Sequence, residues 1–179
     1  MKKRGTAPFS GPSDEKGAVP LLSRPLFRVA ISLGSNLGNR GEHLEHAVHA
    51  LSRDLSDLKV SSAIDTEPVE TGPGQPTYLN AAVVGVTGLS PRALLDRLME
   101  IEGERGRERP SPMAARTLDL DLILYGEEVI QEEGLTVPHP RFSGREFVLA
   151  PLAAIAPDMI DPISGSTVRE LLDQLHRSG

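Results

Sequence analysis

Arg116-Thr117-Leu118-Asp119-Leu120-Asp121-Leu122-Ile123-Leu124-Tyr125 alternates almost without a break, and alternation is the signature of a half-buried β-strand. Leu118, Leu120, Leu122 and Leu124 are expected on one face. Thr117, Asp119, Asp121 and Tyr125 are expected on the other, with Ile123 the one aliphatic residue among them. Side chains two apart on a strand point the same way, so the two carboxylates project side by side. Neighbouring like charges cost free energy unless a cation sits between them. Two readings follow. One is a solvated polar face, the commoner fate of a short D-x-D. The other is a site for a hard divalent cation such as Mg²⁺, which takes carboxylate and phosphate oxygens.

The 179 residues suit one domain with a tail. Aromatics make up only 3% of them, with no Trp, so the core must be Leu, Val, Ile and Ala. Any Tyr or Phe among polar residues is then a candidate for a specific role. The absence of Cys excludes disulfides, thiolate metal sites and cysteine nucleophiles, and fits a reducing cytoplasm. A net charge of −6 argues against a general nucleic-acid surface. No apolar run approaches membrane length, so no membrane partner is expected.

Residues 1–25 are poor in apolar residues and read as a disordered N-terminal tail, leaving 26–179 as the folded domain. A first strand is expected over 27–34, followed by the turn Gly34-Ser35-Asn36-Leu37-Gly38-Asn39. The turn lacks the Lys and Ser/Thr of a P-loop, so it is a weak phosphate motif. A helix follows, with Leu44, Ala47, Val48, Leu51 and Leu55 on its apolar stripe. His43, His46 and His49 lie off that stripe, as a solvated face or, for His43 and His46, a metal pair.

Strands are expected over 59–66 and 78–86, separated by a loop broken at Gly72, Pro73, Gly74 and Pro76. In the later strand Tyr78, Asn80, Ala82 and Val84 share a face. Ser90-Pro91 opens a second helix, with Leu94, Leu95, Leu98 and Ile101 inward. Glu102 lies beside that stripe, as a helix edge meeting solvent or as a directed ligand group. Arg105, Arg107, Arg109 and Arg116 then fall within twelve residues of an acidic chain. They form either a solvated face or a polyphosphate clamp, since the guanidinium fork binds phosphate oxygens bidentately. His139 is flanked by Pro138 and Pro140, which restrict its backbone. Thr167-Val168-Arg169-Glu170 has the form of a capping box and opens a final helix.

The order strand, helix, strand, strand, helix, strand, then a C-terminal extension, predicts an α+β chain. Its expected form is the ferredoxin-like βαββαβ antiparallel sheet with helices on one face. The opposite face, carrying Asp119, Asp121, Tyr78 and Asn80, is expected to be free for ligands.

Four motifs now stand in order: 31–38 (Ile-Ser-Leu-Gly-Ser-Asn-Leu-Gly), 75–81 (Gln-Pro-Thr-Tyr-Leu-Asn-Ala), 116–121 and Val137-Pro138-His139. Together they resemble the 6-hydroxymethyl-7,8-dihydropterin pyrophosphokinase family, from about Phe27 to the last helix. The resemblance implies transfer of diphosphate from ATP to the pterin's hydroxymethyl group, with release of AMP, in folate biosynthesis. It implies two Mg²⁺ ions on Asp119 and Asp121, and a catalytic set of Arg107, Arg116, Asp119 and Asp121. It implies a pterin ring stacked between Tyr78 and Phe147, its polar edge read by Asn80 and by the backbone near Thr66 and Val69. It implies ATP bound by Glu102, Arg107, Arg109, Arg116, Leu122, His139 and Arg145. The expected partners are these two small molecules, and the expected state is a cytoplasmic monomer. One family feature, a Trp shortly before the R-T-L-D-L-D stretch, has no counterpart, and Met113 or Ala114 stands nearest.

Overall fold

The first strand decides the architecture because both of its faces are buried. In the computed structural model, which describes residues 25–67, 76–106 and 117–178, this strand is β1 (Phe27–Ser35). Val29, Ile31 and Leu33 point to one side and Ala30 to the other, and all four are fully buried. A strand covered on both faces belongs in the middle of a sheet. After it come α1 (Arg40–Leu51), β2 (Ser56–Val60), β3 (Ile64–Thr66), β4 (Tyr78–Thr87), α2 (Pro91–Glu104) and β5 (Asp119–Tyr125). The remainder is β6 (Ile130–Glu132), β7 (Leu135–Val137), a 3-10 turn (Phe142–Gly144), α3 (Glu146–Ile155) and α4 (Val168–Ser178).

The main sheet runs β2-β4-β1-β5, with β3 also on β4. β1 is antiparallel to both neighbours. This is the ferredoxin-like βαββαβ arrangement read from the sequence. The strand expected over 59–66 is broken into β2 and β3, both of which pair with β4.

Capping fixes where the two core helices begin. Asn39 accepts the N–H of Glu42 at the start of α1. Ser90 accepts that of Ala93 at the start of α2, with Pro91 following. Each such cap contributes about 1 kcal/mol. Leu44, Ala47 and Leu51 of α1 and Leu94, Leu98 and Ile101 of α2 cover Ile31, Leu33, Val83, Leu118, Leu120 and Leu122. Burial of each large aliphatic side chain there is worth roughly 1.5–3 kcal/mol.

Two expectations change. The face away from α1 and α2 is not left open along its whole length. The C-terminal extension folds as α3 and α4, which bury Ala30, Ala82, Val84, Ile123 and Leu124. Only the end carrying Tyr78, Asn80, Asp119 and Asp121 lies beyond that second core. The four-leucine face of β5 is also interrupted. Ile31 stands opposite Leu122 and Ala30 opposite Leu124, so Ile123 is an extra residue in a bulge. A bulge reverses the alternation beyond it. Leu124 therefore joins the second core, and Tyr125 joins the first. The Tyr125 hydroxyl donates to Leu89 O at 2.7 Å, and its ring lies 4.7 Å from that of Phe27. Among the described residues, no helix is long and apolar enough to cross a membrane.

Candidate active site

Register brings the polar residues together. Gly34 of β1 stands opposite Asn80 on one side and Asp119 on the other. One step back toward the strand's start and on the same face, Ser32 stands between Ala82 and Asp121. Thr66 is paired with Tyr78 at the outer edge. Tyr78, Asn80, Asp119 and Asp121 thus occupy one end of one face, as alternation predicted.

The row closes tightly because its middle residue has no side chain. A Cβ on Gly34 would lie 3.2 Å from Asn80 Oδ1 and 3.7 Å from Tyr78 Cδ1. The Asn80 amide donates to Thr66 Oγ1 at 2.6 Å, which holds its plane. Asn80 is 4% exposed, whereas Asp119, Asp121 and Tyr78 are half-buried.

Behind β5, on the helix side, Glu102 is 2% exposed. Its Oε1 accepts the backbone N–H of Leu120 at 2.8 Å. This removes the reading of Glu102 as a helix edge meeting solvent. The carboxylate is directed at the one residue that separates Asp119 from Asp121. Leu122 points the same way, into the first core opposite Ile31, on the face away from the two aspartates.

His139 is held from the other side. Its backbone N–H donates to Ile123 O at 3.0 Å, and its Nδ1 accepts from the backbone N–H of Arg141 at 3.3 Å. In the neutral ring that arrangement leaves the proton on Nε2. Burial lowers the His139 pKa from its ordinary 6.5, and the charges of Arg145 and Arg141 lower it further, against an opposing pull from Asp119. The ring is therefore neutral at pH 7. The carbonyl of Arg145 accepts the N–H groups of Val148 and Leu149 at the start of α3. Its guanidinium stands 5.5 Å from the centroid of the half-buried Phe147 ring, within reach of a cation–π attraction.

Val69, Arg107, Arg109 and Arg116 lie outside the described residues. His43 and His46 do not face each other across an ion site. His43 Nδ1 accepts from Arg105 Nε at 2.8 Å, and His46 Nε2 meets Glu104 Oε2 at 2.9 Å. They tie α1 to the end of α2. Among the described residues, no group of three or more His, Asp or Glu side chains could hold a metal ion. Gly34 is the residue that sequence reasoning undervalued. The sequence puts it at the end of the first strand and the start of a turn, and the register that sets it between Asn80 and Asp119 emerges only when β4 and β5 are both placed.

Residues 30–157 match the family described as 7,8-dihydro-6-hydroxymethylpterin-pyrophosphokinase. A Haemophilus influenzae 2-amino-4-hydroxy-6-hydroxymethyldihydropteridine pyrophosphokinase is 44% identical over 150 residues, covering 83% of this chain and 93% of that protein. A Synechocystis protein of the same name is 40% identical over 154 residues, covering 82% and 75% respectively. Among solved structures, Plasmodium falciparum HPPK-DHPS superimposes with a TM-score of 0.68 at 14% identity, which speaks to the fold alone. The match covers 84% of this chain but only 44% of that one. A family match across most of the chain, relatives 40% and 44% identical over most of their own length and a shared fold agree: the chain belongs to the 7,8-dihydro-6-hydroxymethylpterin-pyrophosphokinase family.

Proposed function

We infer that the protein is a pyrophosphokinase that transfers diphosphate from ATP to the hydroxymethyl group of 6-hydroxymethyl-7,8-dihydropterin, yielding AMP and the pterin diphosphate for folate synthesis. The observation that carries this reading is the row Asn80–Gly34–Asp119. It sets an amide suited to a heteroaromatic edge beside a carboxylate suited to a phosphate-bound cation.

Tyr78 and Phe147 supply flat apolar surface for a pterin ring, and Asn80, with the backbone near Thr66 and Val69, reads its polar edge. Arg107, Arg109, Arg116 and Arg145 are assigned to the triphosphate, where planar guanidinium groups bind oxygens in pairs. His139, neutral with its proton on Nε2, donates to a phosphate or ribose oxygen of ATP. Glu102 serves the same subsite by fixing Leu120, and Leu122 backs it from the core. In the reaction the hydroxymethyl group gives up its proton to solvent and its oxygen bonds to the β-phosphorus, while that phosphorus loses its bond to the α,β-bridging oxygen. AMP is the leaving group.

Asp119 and Asp121 offer two hard oxygen donors on one strand face, which fits Mg²⁺ completed by phosphate oxygens and water. They would hold two ions. Bound there, Mg²⁺ neutralises phosphate charge and lowers the pKa of the attacking hydroxyl. The chain's own part is to aim these carboxylates, stack the pterin and clamp the nucleotide. A cysteine-free chain suits the reducing cytoplasm.

The test is incubation with Mg²⁺, ATP and 6-hydroxymethyl-7,8-dihydropterin, with the nucleotide products separated. AMP is expected. ADP would indicate monophosphate transfer instead, and no turnover by a folded protein would indicate a binding module on the same fold.

A further inference from the structure

Arg40, the first residue of α1, reaches across to the sheet. Its Nη1 donates to Asp65 Oδ1 at 2.7 Å, to the carbonyl oxygen of Thr77 at 3.0 Å and to Thr77 Oγ1 at 3.0 Å. Asp65 is the middle residue of β3, and Thr77 directly precedes β4. One guanidinium from the helix layer therefore fastens the two segments that bracket residues 68–75.

What it fastens is weak by itself. β3 has three residues and meets β4 through Ile64–Asn80, Asp65–Leu79 and Thr66–Tyr78. A pairing this short is marginal without further support. Alternation turns Asp65 and Leu79 toward the helices, where Leu79 packs on the first core. The same alternation turns Thr66, Tyr78 and Asn80 to the opposite face. Arg40 thus stands behind the strand pair whose front carries the assigned pterin contacts, including the 2.6 Å bond from Asn80 to Thr66.

We propose that Arg40 is a positioning residue for the pterin subsite, setting the placement of Thr66, Tyr78 and Asn80 by clasping Asp65 and Thr77 from behind. The inference rests on the functional reading above. The Arg40–Asp65 pair leaves 30% and 63% of the two side chains exposed, and pairs of that kind contribute little to global stability. Its consequence is local: among the described residues, its hydrogen bonds go to Asp65 and Thr77, which flank the assigned pterin contacts, and to none of the residues assigned to ATP.

The experiment is steady-state AMP release by the wild-type protein, Arg40→Met, Arg40→Lys and Asp65→Asn, varying each substrate in turn and recording Tm. Arg40→Met is expected to raise the KM for the pterin about fivefold, the size of one exposed charged pair. The KM for ATP, and the Tm, should be unchanged. Arg40→Lys keeps a cationic donor and should recover part of the loss, and Asp65→Asn should raise the pterin KM less than Arg40→Met. An unchanged pterin KM in Arg40→Met overturns the proposal, as does an equal rise in both KM values. Should Arg40→Met not fold, Asp65→Ala puts the same question from the strand side. A wild-type protein that releases no AMP defeats the functional reading rather than the clasp. The clasp is then read from amide hydrogen exchange at Tyr78–Asn80, faster in Arg40→Met if it stands and unaltered if it does not.

Discussion

Glu102 accepts the backbone N–H of Leu120 at 2.8 Å from inside the helix layer, 2% exposed. Leu120 is the residue between Asp119 and Asp121, so a buried carboxylate on α2 fixes the strand that presents the two site carboxylates. Glu102→Ala removes the acceptor and leaves a buried N–H unpaired, which costs about 1–3 kcal/mol. For a chain of this length that lowers Tm by several degrees, at about 2–4 °C per kcal/mol. It should also reduce kcat, because the aspartates lose their backing. Glu102→Gln keeps an oxygen acceptor and should keep most of the stability. Thermal melts beside the AMP assay decide the matter. A Glu102→Ala protein that melts with the wild type would show that this bond does not hold the strand.

Gly34 tests the other side of the row. Its backbone is ordinary strand, so an added methyl group acts through space alone. In Gly34→Ala the new Cβ would press on Asn80 Oδ1 at 3.2 Å and touch Tyr78 at 3.7 Å. The amide must then move by a few tenths of an ångström, and misplaced polar contacts lose recognition quickly. The pterin KM should rise about tenfold, with the KM for ATP within about twofold. Substrate-independent loss of kcat, with both KM values unmoved, would put Gly34 outside the pterin subsite.

Much of this arrangement is legible in the sequence. Alternation placed Asp119 and Asp121 on one face, and the Ser90-Pro91 cap placed the start of α2 correctly. What failed did so for physical reasons. The bulge at Ile123 sits in a run of Leu and Ile, and either face accepts those residues, so the pattern carries no mark of the phase reversal that buries Tyr125. The cover that α3 and α4 place over Ala30 and Val84 depends on long-range packing that periodicity does not encode. Glu102 is ambiguous in the same way. Its spacing sets it beside an apolar stripe, but only the approach of β5 gives its carboxylate a partner.

Asp119 and Asp121 carry the sharpest loss-of-function expectation. Asp119→Asn and Asp121→Asn each keep the shape of the side chain and remove the charge that would bind a cation. Turnover should fall at least about 100-fold in either variant. The fold should be retained in both variants, as far-ultraviolet circular dichroism would show. Chelation of divalent ions from the wild-type protein should abolish AMP release, and added Mg²⁺ should restore it. Activity within tenfold of wild type in either variant would defeat the metal assignment.

His139 makes stability depend on pH in a defined direction. Burial comes first, then Arg145 and Arg141, and together they push its pKa below the 6.5 expected of an exposed imidazole. The folded state therefore binds a proton less readily than the unfolded state. In the interval below pH 6.5 the unfolded chain carries more protons, and stability falls as pH falls toward the lower, folded pKa. Above 6.5 the contribution is fully present. His43, lowered mainly by burial and then by Arg105, acts with the same sign. His139→Asn should flatten, without abolishing, the decline in Tm between pH 7 and about pH 5, a range that stays above most carboxylate titration. Melting curves of the two proteins across that range make the comparison. Identical slopes would mean that the imidazole takes up its proton as easily in the fold as outside it.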